Sequence, residues 1–303
     1  MNCFAKTAIV CSLLISAVLA VRAEAADSSG EETAQEMMST ATGKDRHPWS
    51  ADISQTWLPD SGIRNMGGNI EMSETEIRFG RKFAISSTLS LSTGLAYSLR
   101  DIDAPGTARL PDKLNTASVE IGGNFRISKN LFLDVMVSPG LNGDFKKIDR
   151  DDVRTQVGFM GRYNTSEKLT LLAGLVYQEG YKSYPVVPVL GFVYRPDEHW
   201  TIGLAAPRPG VTYSPDKKSS YYLGGEFTAT EYQLHDPSLG AKIIEYRDFR
   251  AVAGVEYTIF SAVKIGISGG YAFGRKFRFY DGTRNDIRVD DNGFVRLSAG
   301  VVW

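Results

Sequence analysis

From about residue 50 onward, apolar and polar residues alternate along the chain with a period of two. Leu89, Leu91, Thr93, Leu95, Tyr97 and Leu99 alternate with Ser90, Ser92, Gly94, Ala96, Ser98 and Arg100. The pattern recurs where Ala117, Val119, Ile121, Gly123 and Phe125 are separated by Ser118, Glu120, Gly122, Asn124 and Arg126. It recurs again where Val263, Ile265, Ile267, Gly269, Tyr271 and Phe273 are separated by small residues and Lys264. Successive side chains of a strand point to opposite faces, so this pattern predicts strands with one apolar face and one small or charged face. Helical periodicity is weak. The segments run about ten residues or more, the length a tilted strand needs to cross a bilayer, whereas a soluble sandwich would show shorter ones.

The connections alternate in length as well. Ser128–Asn130, Asn164–Glu167, Pro196–His199 and Ser261–Ala262 are short; Asp101–Lys113, Phe145–Asp151, His235–Tyr246 and Asp281–Asn292 are long and polar. Outer-membrane barrels have short periplasmic turns and longer external loops. Phe125, Phe132, Tyr163, Tyr194, Trp200 and Phe260 flank the short turns, where an interfacial aromatic girdle belongs. With both ends of the barrel on one side, the strand count is even. Twelve strands over Asn69–Trp303 lose the long/short order near residues 200–235. Fourteen restore it, if Ala51–Leu58 forms a first strand and Trp200–Ser214 splits at Pro207-Arg208-Pro209. Twelve survives only if those prolines mark a kink, because proline cannot donate to a sheet ladder. The expected fold is all-β: an antiparallel, transmembrane, up-and-down β-barrel of 14 strands (12 as the alternative) over residues 49–303.

The start of the chain reads differently. Asn2–Lys6 carries one positive charge, Thr7–Val21 is mostly apolar, and Ala23-Glu24-Ala25 has the small-x-small form of a cleavage site. Residues 1–25 are read as a Sec signal peptide cleaved near Ala25, too short in its apolar run for a membrane anchor. Both cysteines, Cys3 and Cys11, lie within it. Without it the chain has no cysteine, so it neither forms disulfides nor mispairs in an oxidising periplasm. Residues 26–48 are polar and aperiodic and read as a flexible periplasmic tail, or as a segment that folds back into the barrel. Lysine and arginine number 34 against 35 aspartates and glutamates, which argues against a nucleic-acid binder.

The last residues form one more amphipathic strand. Trp303, Val301, Ala299, Leu297 and Val295 share one face, with Val302, Gly300, Ser298 and Arg296 between them. A chain ending on an aromatic residue in such a strand resembles the recognition signal that the barrel-assembly machinery reads. Trp303, Val301, Ala299 and Leu297 are therefore the candidate assembly signal. Pro188-Val-Leu-Gly191-Phe-Val-Tyr194-Arg-Pro196, with Trp200–Pro207 and Tyr213 following, resembles an uncharacterised Gram-negative outer-membrane barrel family, domain of unknown function 6268, over roughly residues 50–303. The resemblance implies fold and location and brings no substrate or catalytic residue.

Alternation assigns charges to the lumen. The acidic ones are Glu74, Glu76, Glu120, Asp134, Glu226 and Glu256; the basic ones are Arg78, Arg100, Arg126, Arg154, Arg162, Arg250, Lys264, Arg278 and Arg296. Candidate pore-lining residues among these are Arg78, Arg100, Glu120, Arg126, Arg154, Arg162, Glu226, Arg250, Glu256 and Arg296. They form either a wall of cross-strand ion pairs or an arginine-biased constriction favouring anions. The expected function is a passive channel for small polar or anionic solutes. The alternatives are a closed barrel acting through its external loops, or a transporter for apolar molecules plugged by residues 47–66. An enzyme is not expected: of His47, His199 and His235, only His235, beside Asp236, falls near the rim. Cofactors and metals are not expected, and the four aspartates of loop 281–293 match no EF-hand spacing. The expected partners are outer-membrane lipid, lipopolysaccharide and the barrel-assembly machinery, for a chain acting as a monomer and binding no nucleic acid.

Overall fold

A computed structural model describes residues 48–303 except 65, 205–208 and 261. The signal-peptide and tail readings fall outside the described residues. The strands are β1 (Trp49–Gly62), β2 (Asn69–Ala84), β3 (Leu89–Asp103), β4 (Lys113–Arg126), β5 (Leu131–Gly143), β6 (Val153–Asn164), β7 (Leu169–Glu179), β8 (Val186–Tyr194), β9 (Trp200–Leu204), β10 (Gly210–Tyr213), β11 (Ser219–Gln233), β12 (Ile243–Ile259), β13 (Val263–Tyr280), β14 (Ile287–Arg288) and β15 (Asn292–Val302). Each of β1 to β13 pairs antiparallel with the next, β13 pairs with β15, and β15 pairs back onto β1. The result is a closed barrel of 14 strands, with β14 a two-residue addition at the end of β13. No α-helix occurs among the described residues. The fourteen-strand count holds over twelve because β9 and β10 are separate short strands that pair across Trp200–Tyr213. Their connection, residues 205–208, lies outside the described residues.

The alternation resolves into an outside and an inside. Leu95, Ile121, Leu190 and Ile267 are more than half exposed on the outer face, where water would penalise them and hydrocarbon would not. Both chain ends of the barrel lie at the end with the short turns. There Trp49 and Trp303 exchange backbone hydrogen bonds of 3.0 and 3.1 Å, and their rings stack 6.4 Å apart. Deleting Trp303 removes this closing pair of bonds and the stack. The truncated chain is expected to form less heat-resistant barrel in membranes, as read by its gel mobility without boiling; unchanged yield would deny the residue an assembly role.

One break in the alternation changes a sequence assignment. Between Arg247 and Phe249 of β12 the partner strand slips at Gly274, which takes a left-handed φ of 63°, and Arg275. The extra residue reverses the facing of the rest of β13. Arg275 turns inward and is buried, donating to Ser61 Oγ at 2.6 Å. Arg278, assigned to the lumen by strict alternation, stands on the outer face instead, within 3.5 Å of Glu245. A period-two count carried through a bulge inverts every residue beyond it.

At the long-loop end the inward face is apolar. Leu58, Ile70, Met72, Leu114, Ile244 and Phe277 are almost fully buried and belong to one cluster that spans the lumen. Ile63, Ala108 and Leu239 from the loops and Ile287 of β14 join it from above. Arg284 holds the loops down, its guanidinium donating to the carbonyls of Ala108, Arg109 and Leu239. The barrel is thus capped at this end by its own wall and loops.

Candidate functional site

Register places the charged side chains at one height. Arg296 lies opposite Thr56, Thr56 opposite Glu74, and Glu74 opposite Arg100, so β15, β1, β2 and β3 contribute one level of the wall. Glu226 and Arg250 face each other across β11 and β12. The bonds do not run only between neighbours. Arg250 donates to both Glu74 oxygens at 2.8 Å, although β13, β15 and β1 stand between their strands. Arg296 forms a bidentate pair with Glu226 at 2.8 and 2.9 Å, and its Nε donates to Thr56. Arg100 donates to Glu74 at 2.7 and 2.9 Å and to Tyr232 Oη at 2.9 Å, with its guanidinium 4.2 Å from the Tyr246 ring. Asp248 accepts from Arg250 and Tyr246. These are chords across the lumen.

The chords balance electrically. Glu74, Glu226 and Asp248 carry three negative charges against three positive ones on Arg100, Arg250 and Arg296. Paired bidentate contacts of this kind offset the cost of removing ions from water. An anion passing this level meets no surplus of free guanidinium.

Beside the chords lies a cavity of about 340 Å³. Glu76, Arg78, Ser98, Thr116, Ser118 and Glu120 line it from β2 to β4, and Thr228 and Thr230 from β11. On the β5–β6 side Arg154 lines it but turns its guanidinium back to the carbonyls of Asp151 and Val153, at 2.6 and 3.0 Å. Tyr181, from the loop between β7 and β8, closes that side, its hydroxyl accepting from Asn142 and Gln156. The lining therefore mixes hydroxyl and amide groups with charges of both signs.

The candidate residues from the sequence separate into three groups. Arg100, Glu226, Arg250 and Arg296 form the chords and also border the cavity, while Arg78, Glu120 and Arg154 border the cavity outside the chords. The rest lie towards the short turns: Arg162 is buried against Asp134 at 2.5 Å, Glu256 pairs with Lys264 at 3.0 Å, and Arg126 is exposed with its guanidinium 5.8 Å from the Phe132 ring. Of the candidate assembly signal, Val301, Ala299 and Leu297 pair with Ala51, Ile53 and Gln55 along the closing seam. Sequence reasoning did not single out Asp248, Tyr232 or Tyr246, which only their inward parity signalled. It read Tyr181, with Tyr184, as a girdle residue rather than a sugar-stacking platform, whereas Tyr181 turns its hydroxyl to Asn142 and Gln156 at the cavity.

The long loops carry a second cluster. His235 Nε2 lies 2.9 Å from Asp152 and Nδ1 lies 3.8 Å from Asp149, so the ring joins the β11–β12 loop to the β5–β6 loop. Lys146 donates to Asp236 at 2.7 Å and, with Ser238, holds that carboxyl down at about 2. These contacts tie the loops together.

Several comparisons bear on this architecture. The COG4313 outer membrane channel from Pseudomonas putida F1 superposes with a TM-score of 0.50, at 11% identity, over 88% of this chain and 98% of that one. The toluene transporter TodX of Pseudomonas putida reaches a TM-score of 0.47 at 8% identity, over 91% and 95% of the two chains. The KdgM porin reaches 0.37 at 9% identity, over 84% and 99%. At 11% identity the likeness to the COG4313 channel is one of fold. No curated protein matches the chain. The family defined as domain of unknown function (DUF6268) matches residues 72–295, most of the barrel, and the chain belongs to that family.

Proposed function

We propose that the protein is an outer-membrane channel for small polar solutes, with the short turns in the periplasm and the capped end outside. The observation that carries this reading is the mid-lumen cavity of about 340 Å³. It is polar and of a size for a small molecule. The barrel fold and the lipid-compatible outer face support the location. Arg78 at the cavity, and not the balanced chords, is the group that favours anions. Trp303 and its strand serve recognition by the assembly machinery.

Single-channel recording of the refolded protein in a planar bilayer, with a salt gradient, tests this. Small, steady conductance with weak ion selectivity is expected; a correctly folded barrel that conducts nothing would favour a closed protein acting through its loops. Arg296→Gln gives a sharper result. It leaves the Glu226 carboxylate without its bidentate partner, so the reversal potential is expected to move towards cation preference. A shift towards anions would contradict the chord geometry.

A further inference from the structure

Beyond the bulge at Gly274 the outer wall gathers positive charge. Strict alternation would point Lys276 into the lumen, but the extra residue turns it to the outer face, opposite Arg247 of β12. On its other side Lys276 lies opposite Arg288 of β14. Arg247, Lys276 and Arg288 thus form one row of three cations across three neighbouring strands. Each faces outward because the residue beside it in its strand, Tyr246, Phe277 or Ile287, is buried inward. Like charges set directly opposite each other in a sheet destabilise it, so the row calls for an anion.

The acids nearby are engaged elsewhere. Glu245 accepts from Tyr280 Oη at 2.6 Å and pairs with Arg278 at 3.5 Å, while Asp286 lies 3.8 Å from Arg278. Glu231, opposite Glu245, takes the backbone N–H groups of Lys182 and Ser183 and the Ser183 hydroxyl. Asp281 pairs with Lys182, and Asp290 with Arg64. The row keeps its donors. Arg247 donates to Tyr184 Oη at 2.8 Å, but its Nε is buried without an acceptor among the described residues. Lys276 and Arg288 make no side-chain hydrogen bond or ion pair among the described residues.

Towards mid-membrane the same face turns apolar. Phe249 lies opposite Phe273 with the rings 5.8 Å apart, and Phe227 stands 4.8 Å from Phe249. The Arg247 guanidinium lies 5.8 Å from the centres of the Phe227 and Phe249 rings. At about 3.3 Å per residue, two residues of β12 put the row roughly 7 Å above this aromatic step. Tyr271 and Ile267 continue the face, 51% and 52% exposed. Aromatic rings of this kind mark the level where headgroups meet hydrocarbon, so the cations stand at headgroup height.

We propose that this row holds the phosphate of an outer-leaflet lipid, a phosphorylated glycolipid of the lipid A class. Its phosphate sits among Arg247, Lys276 and Arg288, and its acyl chains run down Phe249, Phe273 and Tyr271. The two guanidiniums suit a phosphate because their planar forks bind its oxygens in pairs. A free phosphate would use only the row, whereas the continuous apolar face beneath it matches an anion that carries chains. The inference rests on the orientation in the channel reading, with the capped end outside, and not on conduction.

Native mass spectrometry of the folded full chain in detergent micelles, titrated with bisphosphorylated lipid A, tests it. EDTA is present, so that a divalent ion held by the aspartates of loop 281–293 cannot stand in for the row. The parent is expected to retain lipid A, and the triple variant Arg247→Gln, Lys276→Gln, Arg288→Gln to bind it about tenfold more weakly or worse, from the usual attraction of each cation for an anionic surface. Arg288→Gln alone, on the exposed β14, is expected to lose about fivefold and serves if the triple variant does not fold. Lys129→Gln, Lys168→Gln and Lys218→Gln together remove the same charge from the short turns and are expected to change nothing. Equal binding by parent and row variants, or an equal loss in the short-turn control, would overturn the site. Displacement of lipid A by inorganic phosphate at equal concentration would overturn the lipid as its occupant. Orientation is read apart from binding, by adding an impermeant maleimide to intact cells carrying Asn285→Cys with Cys3→Ala and Cys11→Ala. Labelling is expected; a cysteine that stays unlabelled would remove the outer-leaflet lipid together with the orientation. A barrel that binds through the row but does not conduct loses the channel and keeps the site.

Discussion

Glu74→Ala is expected to destabilise the barrel by about 3–5 kcal/mol, because it leaves two buried guanidiniums without their shared partner. Arg100 and Arg250 both donate to this one carboxylate, and all three side chains are almost inaccessible to water. Asp248 still accepts from Arg250, and Tyr232 Oη still accepts from Arg100, so the loss is not total. Glu74→Gln keeps an acceptor of the same shape and removes only the charge, so it is expected to fall between the variant and the parent. Urea unfolding of the refolded protein in detergent micelles, followed by tryptophan fluorescence, measures the difference. An alanine variant within 1 kcal/mol of the parent would mean, by the usual size of an exposed pair, that the chords are solvated and hold nothing.

Phe277→Ala acts at the cap. Phe277 is fully buried, inward by virtue of the bulge at Gly274, with its ring 5.1 Å from that of Tyr246. Truncating a buried phenylalanine costs about 3–5 kcal/mol and leaves a void. Here the void lies within the capping cluster, beside the Tyr246 ring. The variant is therefore expected to lose stability and gain conductance together, in the same bilayer recording. If the cap were loose and already permeable, stability would fall without any change in current.

The sequence makes the barrel legible because period two is imposed by the membrane itself. Every residue pair must present one face to hydrocarbon, so Leu89–Leu99 and Val263–Phe273 declare their direction without reference to partners. The same signal carries the strand count, through Pro207–Pro209 and the alternation of loop lengths. It does not carry what meets what across the lumen. Arg250 and Glu74 lie 176 positions apart and on non-adjacent strands, and nothing local in either strand marks the pairing. An excess of inward arginine is visible in the sequence, whereas its cancellation at the Glu74 level depends on the height that register gives each residue. The misassigned Arg278 shows the remaining limit: one left-handed glycine, indistinguishable in the sequence from the many glycines of the inner face, inverts the strand beyond it.

The seam between β1 and β15 also sets the order of events in folding. Ser50 pairs with Val302, so the contact that makes the sheet a cylinder joins the two most distant segments of the barrel. Hairpins such as β2–β3 and β12–β13 are local and can zip as soon as their turns form. The seam must wait for all of them and carries the largest loop-closure entropy in the molecule, which makes it the slow step of a high-contact-order fold. Until it forms, β1 and β15 each present a free edge that another chain could join. Time spent in that open state, more than the stability of the finished cylinder, sets how long those edges stay open to wrong partners.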